Sequence, residues 1–325
     1  MRDEPAELPV DVVLDHVRAG WGIPAESVSY LPVGAGSYNW IARAGGRPAW
    51  FVKCDRIESE ATRERLRSTF RAASALRASG LEFVVAPIPD RDGDLLHTIA
   101  PGWAMSLCRH LGGAAVGDGH WLTDADRTHV AALLGRVHAA PVPECAPHWT
   151  APPELIAERF MPSLDEPWKG GPFSTHAQRL LLDATEYIDS LIARFRRLLA
   201  RLQADREPWV LTHGEPHSAN LIRTDDGRMH LIDWDSARIA PREREFRTHL
   251  APDDAVRRAY AVTAGTDLIR PYVQELFRVE WDLVEILWFS FCLRTEHADT
   301  ADARRAVTAL EHYLHPARPG ATDRT

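Results

Sequence analysis

The stretch Trp209-Val210-Leu211-Thr212-His213-Gly214-Glu215-Pro216-His217-Ser218-Ala219-Asn220, followed by Leu231-Ile232-Asp233-Trp234, decides the fold. Between these segments, Leu221 to Thr224 and Met229 to Asp233 read as strands. They flank Asp225-Asp226-Gly227-Arg228, in which Asp-Gly is a strong two-residue hairpin signal. With Asp226 and Gly227 as the turn, Thr224 is expected to face Met229, Ile222 to face Leu231 and Asn220 to face Asp233. Opposed residues of such a pair stand about 4.5 to 5.5 Å apart at Cβ, so an amide oxygen and a carboxylate should converge at the open end of the hairpin.

That pair suits one Mg²⁺, which takes hard oxygen ligands and is held by one or two carboxylates together with substrate phosphates. Glu215 precedes Asn220 by five residues, on a loop where a carboxylate could accept the proton of an attacking hydroxyl. Protein kinases use the same order: a catalytic-loop acid, an Asn five residues on, then a metal-binding Asp after the next strand. A zinc reading competes, because His213, Glu215 and His217 alternate and would share one face of an extended segment. Pro216 favours a loop instead. A nucleobase-deaminase reading of His-x-Glu lacks its Pro-Cys-x-x-Cys partner.

His-Gly-Glu-x-x-x-x-Asn followed by Ile-Asp-Trp resembles the aminoglycoside phosphotransferase family, and His-Gly-Glu-Pro-His is similar to the spectinomycin-type phosphotransferases within it. Glu215 stands where that family commonly has Asp, which moves the carboxylate outward by one methylene. The resemblance implies a kinase-like fold, Glu215 as the catalytic acid, and Asn220 and Asp233 as metal ligands. Asp235 is then a neighbour of the metal or a supporting acid. His213 is expected to brace the loop. Leu134-Gly135-Arg136-Val137-His138 resembles a family helix end, with His138 as a packing residue, and Arg244-Glu245 resembles an Arg-Asp pair that supports the catalytic loop.

Such an enzyme needs a nucleotide-gripping lobe upstream, and Leu31 to Lys53 has its parts. Val33-Gly34-Ala35-Gly36-Ser37 reads as a glycine turn between strands, and Gly34, Gly36 and Ser37 would let backbone N–H groups approach phosphates. Lys53 lies in the apolar strand Ala49 to Cys54, where kinases carry the lysine that bonds the α- and β-phosphates and pairs with a Glu on the next helix. Glu58, Glu60 and Glu64 compete for that partnership around a helix from Ala61 to Ser79. Glu64 is favoured because it lies within the helix. Phe83 to Pro89 and Leu95 to Ile99 read as the paired strands ending the lobe. Trp103 to Leu111 then runs into a hinge whose backbone, from Cys108 to Leu111, is expected to hold adenine in the manner of related kinases.

Composition narrows the partners. A net charge of −8 argues against nucleic acid, which calls for a basic stripe, and suits a cationic substrate. Cys54, Cys108, Cys145 and Cys292 form no C-x-x-C pair, as expected of reduced thiols. The opening Met1-Arg2-Asp3-Glu4-Pro5 has no apolar signal core, and no run of about eighteen apolar residues occurs, so a cytoplasmic protein with no membrane partner is expected. Pro316 to Thr325 reads as a disordered tail.

Downstream, Thr123-Asp124 should cap a helix running to about Ala140, and a single long helix is expected from Ala177 to Gln203. Phe277, Trp281, Val284, Trp288 and Phe291 recur at three- and four-residue intervals, which predicts a helix with a buried aromatic face. Asp282 and Glu285 flank that face. They are candidate contacts to the ammonium groups of a substrate, or else the solvated edge of the helix.

The expected architecture is α+β: a two-lobed, protein-kinase-like fold with a small antiparallel-sheet N-lobe over residues 1–110 and a mainly helical C-lobe over residues 111–325. The expected activity is transfer of the γ-phosphate of ATP or GTP, with Mg²⁺, to a hydroxyl of an aminoglycoside or aminocyclitol antibiotic. Alternatives are a kinase of the same fold acting on choline, homoserine or a sugar, and a catalytically silent kinase-like binding protein.

Overall fold

Alternating apolar and polar residues along the second and third strands place large hydrophobes on one face of a sheet and polar groups on the other. The computed structural model describes residues 1–116, 122–157, 164–247 and 250–315; the tail expected at 316–325 lies outside them. In chain order the elements are α1 (Val10–Trp21), β1 (Ser27–Leu31), β2 (Tyr38–Ala44), β3 (Arg47–Arg56), α2 (Glu60–Ala78), β4 (His97–Ala100), β5 (Trp103–Arg109) and β6 (Ala114–Ala115). There follow α3 (Asp124–Ala139), α4 (Pro153–Ile156), α5 (Ser174–Asp183), α6 (Thr185–Gln203), β7 (Val210–Thr212), β8 (Leu221–Arg223), β9 (Met229–Leu231) and β10 (Arg238–Ala240). The described chain ends in α7 (Asp254–Ala264), α8 (Pro271–Arg294) and α9 (Ala301–Tyr313). An antiparallel sheet near the N-terminus and a mostly helical remainder make the described chain α+β.

The chain forms two compact units, residues 1–149 with 209–268, and residues 150–208 with 269–325. In the first, an antiparallel sheet runs in the order β1-β2-β3-β5-β4. Trp40, Ala42, Val52, Cys54, Met105 and Leu107 of one sheet face pack with Val13 and Val17 of α1. The opposite face carries Asn39, Lys53 and Ser106 in one cross-strand row. Helix α2, capped by the Ser59 hydroxyl on Thr62 N–H, packs Leu66 and Phe70 against Ala104 and Leu96. Because Ala104 shares its strand face with Ser106, α2 lies on the Lys53 side.

Helices α3 and α7 pack closely because residue 135 has no side chain: a Cβ on Gly135 would meet the Tyr260 carbonyl at 2.8 Å and overlap the Thr263 hydroxyl. His138, near the end of α3, is buried and shares a 2.7 Å hydrogen bond with the Tyr260 hydroxyl. That is the packing role read from the sequence. The second unit is helical among its described residues, with Leu191, Ile192 and Phe195 of α6 on its buried stripe.

Four local expectations are corrected. The segment 83–89 is no strand; it makes one bridge, Val84 to Leu231, and its two prolines lack the N–H groups a ladder needs. The hairpin ending the sheet is β4 with β5. The helix expected over 177–203 divides at Ala184 into α5 and α6, where the Thr185 hydroxyl bonds the Leu181 and Leu182 carbonyls.

The hairpin at 221–231 is shifted by one residue from its expected register. Thr224 N–H bonds the Arg228 carbonyl around a three-residue loop in which Gly227 has φ 81°, so Leu221 faces Leu231 and Ile222 faces His230. Asn220 therefore pairs with Ile232, whose N–H reaches its carbonyl at 3.0 Å, and not with Asp233.

The aromatic stripe of α8 is not buried throughout. Phe277 is fully buried, whereas Trp288 and Phe291 are 40% and 55% exposed and lie against each other. Val284 and Phe291 each lie one position, about 100° of rotation, past the inward-facing Leu283 and Ser290. The buried stripe runs instead through Leu276, Leu283, Ile286 and Leu293.

Candidate active site

Strand β7 pairs with β10 and delivers its C-terminal end into the loop 213–217. Gly214 has φ 94°, and a Cβ there would strike the Arg244 guanidinium, which itself donates to the Thr212 hydroxyl at 3.0 Å. Glu245 is buried and accepts the backbone N–H groups of His213 at 2.5 Å and Gly214 at 2.9 Å. Burial alone would raise its carboxyl; bonding to His138, the nearby His213 and the Gly214 N–H hold it below the ordinary range. Arg244 and Glu245 thus shape the loop.

His213 is fully buried. Its Nε2 donates to the Ile232 carbonyl at 2.8 Å, and its Nδ1 accepts the Glu215 N–H at 3.1 Å. Burial keeps its pKa below the usual imidazole value. With both ring nitrogens committed, His213 joins the loop to the end of β9 and offers no lone pair to zinc. Among the described residues, no group of three or more His, Cys, Asp or Glu is arranged to hold a metal.

Glu215 lies beside the short turn Trp234–Ser236. The Ser236 hydroxyl donates to Glu215 Oε1 at 2.6 Å, and His217 Nε2 stands 3.8 Å from Oε2. Burial pushes this carboxyl up, but His217, the Arg247 charge and the Ser236 hydroxyl prevail and hold it well below the usual carboxylate range. Asn220 is 7% exposed, and its Nδ2 donates to the Glu215 carbonyl at 3.0 Å, fixing the amide against the loop.

Asp233 has φ 63° and ψ 66°, the one positive φ outside glycine among the described residues. That conformation costs about 1 to 2 kcal/mol for an ordinary residue, less for Asp. It brings Asp233 Oδ1 to 2.5 Å from Lys53 Nζ, with Asp235 Oδ2 2.7 Å from the same ammonium. Burial and the neighbouring Asp235 charge raise the Asp233 carboxyl to about 6, against the pull of Lys53. For Lys53, burial is opposed by the three charges of Asp233, Asp235 and Asp55, and the ammonium is held well above its ordinary pKa. Two acids and one cation, gathered from segments 180 residues apart, form the electrostatic centre of the unit.

The structure brings Lys53, Asp233 and Asp235 into contact and sets Glu215 and Asn220 on one loop. The left-handed φ of Gly34 (79°) and Gly36 (82°) explains their residue type. Ser37 is 8% exposed and donates to Asp55 Oδ1 at 2.6 Å. Glu64 does not reach Lys53: it sits on the outer side of α2, half exposed, paired with Arg71 at 3.2 Å. The inner turns of α2 belong to Leu66, Thr69, Phe70 and Ala73, so its acid faces outward.

In the second unit, Asp282 is 1% exposed and pairs with Arg278 at 3.5 Å, so it is no solvated edge; Glu285 is half-buried. Sequence reasoning missed Ser236 and Asp55. Alternation along β3, which puts residue 55 on the face of Lys53, was the available signal for the latter.

Protein StrN of Streptomyces griseus is 24% identical over 315 residues, spanning 92% of this chain and 89% of that protein. Spectinomycin phosphotransferase, solved in complex with ADP and spectinomycin, has a TM-score of 0.73 at 14% identity, over 95% of this chain and 96% of that one. A microcompartment-associated aminopropanol kinase has a TM-score of 0.61 at 16% identity, over 94% and 95% of the two chains. An amicoumacin kinase solved with AMP-PNP and Ca²⁺ has a TM-score of 0.61 at 13% identity, over 95% and 94%. At these identities the solved structures speak for the fold alone, which is kinase-like. The sequence itself matches a family across residues 27–281, from the first strand of the sheet into α8, and on that match the chain belongs to the phosphotransferase enzyme family.

Proposed function

We propose that this phosphotransferase moves the γ-phosphoryl group of ATP or GTP to a hydroxyl of a small cationic molecule of the aminocyclitol or aminoglycoside class, in the cytoplasm. The observation that carries the reading is the Lys53 ammonium bonded at once by Asp233 and Asp235, in the unit that holds Glu215. The spectinomycin-bound neighbour supports the acceptor class, and the nucleotide-bound neighbours support the donor.

The residues present fit Mg²⁺. Asp233 and Asp235 are hard carboxylates that already share one cation, and Mg²⁺ completes such a partial set with water and phosphate oxygens. Asp233, with Asn220 and Asp235, would hold the ion, which neutralises phosphate charge when bound. Lys53 steadies the phosphates, and the N–H groups around Gly34 and Gly36 cover them.

Glu215 is anionic at neutral pH and receives the proton of the acceptor hydroxyl. That oxygen forms a bond to the γ-phosphorus, and the bond from phosphorus to the departing diphosphate oxygen breaks. Ser236 keeps one carboxylate oxygen in place so that the other can point to the acceptor.

The test is coupled ADP detection with Mg²⁺ and an acceptor panel of aminocyclitols, aminoglycosides and small amino alcohols, the last because an aminopropanol kinase shares the fold. ADP release with an aminocyclitol that vanishes in Asp233→Ala supports the reading. Nucleotide binding without turnover on any acceptor overturns it in favour of a silent binding protein.

A further inference from the structure

Kinases steady their strand lysine with a glutamate on the following helix. The inner face of α2 offers no such group. Its buried residues are Leu66, Thr69, Phe70, Ala72, Ala73 and Leu76. Thr69 gives its hydroxyl to the Leu66 carbonyl at 2.8 Å, and Glu64 is turned outward to Arg71.

An acid does stand beside Lys53, on its own strand. Asp55 lies two residues on, hence on the same face of β3, and is 7% exposed. Its Oδ1 takes the Ser37 hydroxyl at 2.6 Å, while its Oδ2 is buried with no hydrogen-bond partner among the described residues. The charges of Asp55 and Lys53 act on each other. An ammonium has three hydrogens to donate, and Lys53 gives two of its bonds to Asp233 and Asp235. Directly across on β2, Asn39 holds the loop by its Nδ2 on the Val33 carbonyl at 3.0 Å, and its Oδ1 is likewise buried without a partner. A buried carboxylate oxygen left without a donor is costly, and here it shares a strand face with a cation that has bonding capacity to spare.

We propose that Asp55 is the positioning acid of Lys53, in place of a helix glutamate, and that Ser37 ties this pair to the glycine loop. The inference rests on the nucleotide reading above. Asp233 and Asp235 are the groups suited to a divalent ion, and once they are so engaged Asp55 is the anion left to aim the ammonium at the phosphates. Loop and lysine are then one unit: what moves Ser37 moves Asp55, and with it Lys53.

The sequence makes this directly observable, because it contains two lysines, Lys53 and the exposed Lys169. Protein labelled with ¹³C,¹⁵N-lysine gives one side-chain signal for each, told apart by Lys169→Gln. Asp55→Asn is the decisive variant, since its amide oxygen can still accept from Ser37 while the charge is gone. The expected result is a displaced Lys53 signal with Lys169 unmoved, and Mg·AMP-PNP affinity by calorimetry about tenfold weaker. Asp55→Glu, which keeps the charge, should retain most of the affinity, and Glu64→Gln should change neither readout.

If Asp55→Asn leaves the Lys53 signal and the affinity at wild-type values, the inference is overturned. It is equally overturned if Ser37→Ala loses as much affinity as Asp55→Asn while the Lys53 signal of Asp55→Asn stays put, for then Asp55 merely braces the loop. Should Asp55→Asn not fold, wild-type affinity together with an unmoved Lys53 signal in Ser37→Ala overturns the coupling. Failure of the wild type to bind Mg·AMP-PNP falls on the nucleotide reading, whereas the Lys53 signal without nucleotide still decides whether Asp55 acts on it.

Discussion

Lys53 Nζ and Asp233 Oδ1 stand 2.5 Å apart, although 180 residues separate them. The contact exists because β3 presents Lys53 on its polar face and because Asp233 adopts a left-handed backbone at the end of the catalytic hairpin. Removing Lys53 leaves the Asp233 and Asp235 carboxylates facing each other without their shared cation, and removing Asp233 leaves the ammonium bonded by Asp235 alone. Asp233→Ala is expected to abolish turnover, and Lys53→Ala to lower kcat by roughly 10² to 10³, the scale of losing one preorganised electrostatic contact to the transition state. Steady-state kinetics on the best acceptor checks both.

Glu215 is expected to act through its charge. Glu215→Gln should lower kcat by roughly 10² to 10⁴ with nucleotide KM nearly unchanged. Glu215→Asp asks a separate question, because it withdraws the carboxylate by one methylene from Ser236, which now donates to it at 2.6 Å. A Glu215→Gln enzyme as fast as the wild type would remove this residue from the chemistry.

Glu245 predicts a pH dependence of stability. Its carboxyl is held below the ordinary range: burial pushes it up, but His138, His213 and the Gly214 N–H outweigh burial. As pH falls, the unfolded chain therefore takes up this proton first, and the stabilisation, complete above a carboxylate's ordinary pKa of about 4.3, is lost as pH drops through the lower folded value. Glu245→Gln sets an amide N–H₂ against a backbone donor and should cost about 2 to 3 kcal/mol at neutral pH. Thermal melts of wild type and variant across acid pH should converge toward the acid end.

Gly214→Ala is expected to damage the loop twice over, through φ 94° and through collision with Arg244. A loss of roughly 1 to 3 kcal/mol follows from the backbone conformation alone. Chemical denaturation measures it, and activity should fall in parallel because His213 and Glu215 flank the residue.

On α8 the contrast lies between Asp282 and Trp288. Asp282→Ala leaves Arg278 without its buried partner and should cost on the order of 3 kcal/mol, whereas Trp288→Ala, at a position 40% exposed, should stay within about 0.5 kcal/mol. Denaturation midpoints of the two variants distinguish them.

The kinase-like fold was legible in the sequence because its signals are local. His-Gly-Glu-x-x-x-x-Asn and Ile-Asp-Trp lie within about one hairpin, and a glycine turn before a lysine strand is readable by eye. What escaped depended on one backbone residue or on long-range contact. The Asp-Gly pair predicts a two-residue turn, whereas the left-handed Gly227 closes a three-residue loop, which moves every pairing by one. The left-handed Asp233 turns its carboxylate to Lys53, a feature no strand pattern encodes. Glu64 was favoured by its place within a helix, yet which face of α2 turns inward was settled by Leu66, Phe70 and their partners at Leu96 and Ala104.

The most direct measurement is the mass of a candidate aminocyclitol acceptor after incubation with the protein, Mg²⁺ and ATP, run beside Asp233→Ala. The expected result is an acceptor heavier by one phosphoryl group with the wild type and unchanged with the variant. Unmodified acceptors across the whole panel, from a wild-type protein that binds Mg·ATP, would contradict the assignment of this site to phosphoryl transfer.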